Sequence, residues 1–197
     1  PLFAAALAEG VFHNAAPKIG QLWKLLDPLA RERMLERTVT LDLPDDDPFW
    51  AQAFDEVFGD ADRMVANIGQ LGVLARANPR RTAALLAQHL DALAAGLGRK
   101  LFRTLDSVVR ELAYDGTSCR EGMDLMEAIA LRADDDREPV EHYGNCFVYW
   151  YFAFPMSYQE RLDRLTKLVE SPELSRRVMG ARLIVHATDV PHTLSGY

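Results

Sequence analysis

Apolar residues recur at steps of three and four along most of the chain, the spacing of helices that bury one face. The stretch PLFAAALAEGVF sets Phe3, Leu7 and Val11 on one side of an amphipathic helix. From His13 to Arg37 the same rhythm runs through Ile19, Leu22, Leu26 and Leu29. Pro28 must kink or restart that helix, with Asp27 as the new cap. Pro48 opens a helix with the stripe Trp50, Phe54 and Val57, and Gly59 ends it. One helix is expected over 60–77, with Met64, Ile68, Leu71 and Ala75 inward. Asn78 caps the next helix and Pro79 opens it; Leu86, Leu90, Leu93 and Leu97 pack, and Gly96 or Gly98 stops it. Leu101, Leu105, Val108 and Leu112 mark a further helix.

Two Ser-x-x-Glu patterns read as capping boxes. Ser118 and Glu121 precede Met123, Met126 and Ile129; Ser157 and Glu160 precede Leu162, Leu165 and Val169. Ser171 and Pro172 open a last short helix that Gly180 closes. The helical rhythm breaks twice. In TVTLDL, Val39, Leu41 and Leu43 alternate with polar neighbours, which predicts a strand over 38–43. RLIVHA predicts a second strand over 182–187. The two are expected to pair, because a lone strand leaves its backbone groups unbonded. The tail TDVPHTLSGY is expected to be irregular.

The stretch GNCFVYWYFAFP carries the sharpest choice. Val140, Tyr143, Phe147, Trp150 and Phe154 fall on one stripe, which predicts a continuous helix over 139–154 stopped by Pro155. From Phe147 to Phe154 it is apolar all round, the mark of a central element. A glycine inside a helix costs ~1 kcal/mol relative to alanine, so Gly144 is expected to admit a neighbour closely. Cys146 is then a small buried hydrophobe. The rival reading breaks the helix at Gly144 and Asn145, placing Cys146 at a helix N-terminus that favours the thiolate. His186, oriented by Asp189, would serve as its base. Papain-like sites of that kind need several strands after the cysteine, and one is expected here, so the core reading is preferred.

Composition adds bounds. With 197 residues, 49% hydrophobic and 26% charged, the chain can bury one real core. No Gly/Ser/Pro-rich linker divides it, so a single helical domain over 1–197 is expected. The net charge of −7 repels phosphate backbones and anionic lipid, which argues against nucleic acid and membrane as main partners. Basic clusters at Arg80–Arg81, Arg99–Lys100–Arg103 and Arg176–Arg177 lie near helix ends or on polar faces; a local anion site there is a minor alternative. Two cysteines, Cys119 and Cys146, make no disulfide scaffold and suit a reducing cytoplasm. Neither has zinc-site spacing. Cys119, following the Ser118 cap, is expected to be the more reactive of the two, provided the turn there is exposed. The apolar run Cys146–Met156 is too short to span a bilayer. Abundant arginine and alanine fit GC-rich, bacterial coding.

Candidate chemistry is sparse. The runs Asp45–Asp47 and Asp134–Asp136 precede proline-initiated helices, where negative charge is favoured, and neither has EF-hand spacing. Glu138 and His142 share a helix face but are too few for a metal. His89 and His186 read as half-buried or core histidines. The glycines of GLGRK lack a preceding strand, and no Walker loop, GxGxxG, GxSxG or HExxH is present, so no cofactor is expected. KIGQL and NIGQL share too little to define a repeat. Tyr143, Trp150, Tyr151 and Phe154 are the candidate lining of a small-molecule pocket.

These patterns predict a mainly α fold: a multi-helix bundle around a central aromatic helix, with a minor two-stranded β element. The expected function is non-enzymatic interaction or regulation through contacts with a protein partner or a second copy. A helical small-molecule sensor with an aromatic pocket is the alternative. An enzyme using Cys146 or His186 ranks third.

Overall fold

The structure is a computed structural model. It describes residues 27, 30, 31 and 33 and the stretches 48–96, 99–133, 137–148 and 154–189. The described residues are mainly helical and contain no strand. They divide into two compact units, Pro1–Glu111 and Leu112–Tyr197.

In the first unit the described helices are α1 (Pro48–Phe58), α2 (Ala61–Ala66), α3 (Ile68–Ala77), α4 (Pro79–Gly96) and most of α5 (Arg99–Tyr114). Asp27 does cap, its Oδ1 accepting from the Ala30 amide at 2.9 Å. Pro48 is the first residue of α1, as predicted. Trp50, Phe54 and Phe58 are buried, with successive ring centroids 6.4 and 6.2 Å apart. The single helix expected over 60–77 is two. Asn67 closes α2 and opens α3, and its Nδ2 donates to the Arg63 carbonyl at 2.8 Å. A short amide side chain here competes with the backbone ladder and breaks it. Asn78 caps α4 as predicted, accepting from the Arg81 amide at 3.2 Å. α2 and α3 both pack on α4.

In the second unit, which takes in the last turn of α5, the helices are α6 (Cys119–Arg132), α7 (Arg137–Asn145), α8 (Tyr158–Val169) and α9 (Leu174–Asp189). α6 packs on α7, and α9 lies against both α7 and α8. The Ser157 capping box forms in full: Ser157 Oγ accepts from the Glu160 amide and the Glu160 carboxylate accepts from the Ser157 amide. The Ser118 box does not form. Ser118 is fully buried, and its hydroxyl donates to the Leu112 carbonyl at 2.9 Å, which satisfies the end of α5.

Three further expectations fail here. The predicted strand over 182–187 lies inside α9, and its proposed partner over 38–43 lies outside the described residues. Gly180 does not close a helix; it lets α9 approach α8. A Cβ there would sit 3.0 Å from the Val169 amide nitrogen and 3.2 Å from the Leu168 carbonyl carbon. With that approach made, the buried positions Met179 and Leu183 continue a four-residue step straight through the glycine. The helix expected over 139–154 ends at Asn145. Cys146 and Phe147 form a turn, bonded back to the Tyr143 and Gly144 carbonyls at 3.1 and 3.0 Å. The buried Arg161 fixes this turn, donating from Nη1 to the carbonyls of Cys146 and Val148 at 2.8 and 3.1 Å. A side chain from α8 thus satisfies carbonyls that helix continuation would have taken.

Candidate functional site

Of the four predicted pocket residues, Tyr143 and Phe154 are described; Trp150 and Tyr151 lie outside the described residues. Tyr143, on α7, is fully buried and meets Phe147 edge-on at 5.1 Å. Phe154 meets Tyr114 edge-on at 5.1 Å and lies under the Arg161 guanidinium at 5.7 Å. Neither ring lines the two described clefts of this unit.

The Tyr143 hydroxyl is tied to a charged cluster that the sequence did not announce. It donates to Glu127 Oε2 at 3.1 Å, and Arg176 Nη2 donates to Glu127 Oε1. Burial, together with the neighbouring Glu127 carboxylate, pushes the phenol well above its ordinary value. The same glutamate holds Arg176 more firmly protonated. Nearby, Arg164 on α8 donates to Asp124 at 2.6 Å and to the Arg120 carbonyl at 3.3 Å. Asp124, Glu127, Arg164 and Arg176 border a cleft of about 490 Å³ to which Arg132 and Lys167 add two further cations. Within it, Arg164 and Arg176 are taken up by Asp124 and Glu127, so it reads first as an ion-pair seam joining α6 to α8 and α9. Arg176 belonged to one of the basic clusters visible in the sequence; its partner Glu127 sits on α6 and carried no signal.

The helix N-terminus that the cysteine–histidine reading requires at Cys146 is not there. Cys146 is fully buried and follows the C-terminal end of α7, the opposite end of the dipole from the one a reactive thiolate needs. Its Sγ lies 3.9 Å from Met126 Sδ and 3.7 Å from the His142 carbonyl. His186 turns instead to Asn145, with Nε2 2.9 Å from Oδ1. Its ring packs over Gly144, where a Cβ would stand 2.6 Å from Cδ2, so the glycine does admit a close neighbour. Cys119 is buried as well, and that burial pushes its thiol up. Gly116 and Thr117 in the turn before it are exposed, but Ser118 and Cys119 themselves are packed inside, so the α6 N-terminus presents no open thiol.

The feature with the clearest outward aspect is α9. At 3.6 residues per turn, Arg176, Met179, Gly180, Leu183 and Ala187 occupy one side. Met179, Gly180 and Leu183 at its centre are buried. The opposite side carries Leu174, Val178, Ala181 and Val185 at steps of four, three and four, and all are exposed. Leu174 is 67% exposed and Val185 56%. Ile184 is also exposed, on one flank of this ridge. Along the other flank runs a mainly apolar groove of about 390 Å³, walled by Leu131 of α6 and Val140 of α7 and by Val178, Met179 and Arg182 of α9. The ridge is hidden in the sequence because RLIVHA, taken alone, is a short apolar run that reads as a strand. Following the pattern back to Leu174 would have exposed the heptad step.

Among the described residues, no group of three or more His, Cys, Asp or Glu could hold a metal, and no helix is long and apolar enough to cross a membrane. Comparisons with protein-family models, with curated proteins and with solved structures return no match.

Proposed function

We propose that this protein acts by protein–protein contact, as a non-enzymatic interaction or regulatory protein, and that α9 carries the contact. One observation supports this reading: the apolar ridge Leu174–Val178–Ala181–Val185 faces away from the helix's own packing and borders an apolar groove. Scattered exposed apolar residues are ordinary; a row of them along one helix face beside a groove is the form of a helix-binding surface. Among the described residues of the second unit, nothing covers these four side chains, and all are exposed. Two cysteines in a chain of 197 residues make no disulfide scaffold, which suits a reducing compartment, so the cytoplasm is the proposed location.

The test compares native partners captured by the wild-type protein and by a Leu174→Asp/Val178→Asp variant whose circular dichroism is unchanged. Proteins held by the first and lost by the second support the reading. Identical captures by both would refute it.

A further inference from the structure

The flanks of the ridge define what fits on it. With Leu174, Val178, Ala181 and Val185 as a heptad seam, the flanking positions are Ser175 and Arg182 on the groove side and Arg177 and Ile184 on the other. Both charged flanking residues are arginines. α9 as a whole has Arg176, Arg177 and Arg182 and no carboxylate before Asp189, in a protein whose net charge is −7. Arg182 is exposed and forms no ion pair among the described residues. Arg177 is exposed too; it donates from Nη1 to the Ser171 and Pro172 carbonyls at 2.9 and 2.8 Å, which fixes its guanidinium beside the ridge. In a parallel pairing of two copies Arg177 of one would face Arg182 of the other, and any pairing of two α9 ridges joins two basic helices.

From this arrangement we infer that the occupant of the α9 ridge and groove is an amphipathic helix of another protein, with acidic residues flanking its apolar seam. Its apolar side chains enter the groove walled by Leu131, Val140 and Met179, and its carboxylates meet Arg182 on one side and Arg177 on the other. The flanking charges select the partner, while the buried seam holds it. This inference rests on the proposed interaction function and adds the chemistry of the partner.

The probe is a labelled helical peptide with leucine at the a and d positions and glutamate at e and g, set against a counterpart with lysine at e and g. Binding to the intact protein is followed by fluorescence anisotropy at low and high salt. The glutamate peptide is expected to bind roughly tenfold more tightly than the lysine peptide, since each flanking pair changes from attraction to repulsion. The preference is expected to shrink with salt and to reverse in an Arg177→Glu/Arg182→Glu variant. Arg182→Glu alone, which disturbs no hydrogen bond among the described residues, should move it in the same direction. Val178→Asp should abolish binding of both peptides. Equal binding of the two peptides by the wild-type protein overturns the acidic partner and leaves the ridge as a helix-binding face. Sedimentation showing a dimer that Val178→Asp dissociates also overturns it, making a second copy the occupant. Failure of both peptides to bind a monomeric wild-type protein overturns the inference and the proposed function together.

Discussion

Gly122 and Gly72 should respond to the same substitution with opposite sign. A Cβ on Gly122, in α6, would stand 2.3 Å from the Ala113 amide nitrogen and 2.6 Å from both Ala113 Cα and the Leu112 carbonyl carbon. Those are backbone atoms of the last turn of α5 and cannot rotate away. Restoring ordinary separation requires α6 to withdraw by roughly 1 Å, enough to forfeit a quarter to a half of the dispersion attraction between the atoms drawn apart. Overpacking of this kind costs ~1–3 kcal/mol, and the better helix propensity of alanine returns ~0.5–1 kcal/mol. Gly122→Ala should therefore be destabilised by about 1–2 kcal/mol, or ~2–8 °C in melting temperature for a chain of this size. A Cβ on Gly72, within α3, meets Val108 Cγ2 at 3.8 Å, an ordinary van der Waals distance. Gly72→Ala should gain ~0.5–1 kcal/mol. Calorimetry and urea midpoints of the two variants decide the matter. Shifts of the same sign, or an undisturbed Gly122→Ala, would refute the close packing of α6 on the end of α5.

Two further outcomes follow from the polar groups of the second unit. The Tyr143 phenol is held above its ordinary value, so its contribution is full below pH ~10 and is lost as pH rises above that; ultraviolet titration should find one tyrosine that ionises only on alkaline unfolding, and Tyr143→Phe should remove that step. Ser157→Ala should cost ~0.5–2 kcal/mol by loss of the α8 cap. Glu160, held by Arg120 and Ser157, has its carboxyl lowered to about 2. Its stabilisation is present above the ordinary carboxylate range and fades as pH falls toward that value. A carbon-13 titration placing its midpoint in the ordinary glutamate range would contradict the capping box.

Local rules read most of the helices. Proline at the first position of α1 and α4, asparagine before α4 and the Ser157 box act through groups a few residues apart, and each is where the sequence puts it. Three of the misreadings turn on a group outside the local pattern. Ser118 matches a capping pattern, but the Leu112 carbonyl claims its hydroxyl. Tyr143, Phe147 and Phe154 of the stripe are buried, yet Arg161 takes the carbonyls that would have extended α7. Gly180 resembles a stop until Val169 is known to lie against it. At the candidate site, the charge of Arg176 was visible but its destination, Glu127, was not. The outward face of α9 was obscured because β-branched Ile184 and Val185 imitate a strand over a short window.

The two faces of α9 answer to different constraints, and that difference can be measured. The inner face is matched atom by atom: Gly180 admits the end of α8, Gly144 admits His186, and His186 is held by Asn145. Changes there should unfold the second unit. The ridge has no such obligation. Glutamine has a higher helix propensity than valine, and a surface substitution away from special contacts usually stays within about 0.5 kcal/mol. A Leu174→Gln/Val178→Gln/Val185→Gln variant should therefore be as stable as the parent, or slightly more so, and more soluble. A row of exposed apolar side chains lowers solubility, and the proposed contact is what would offset that cost. If the triple variant loses more than about 2 kcal/mol, the ridge is covered within its own chain, and the interaction reading fails whatever partners are captured.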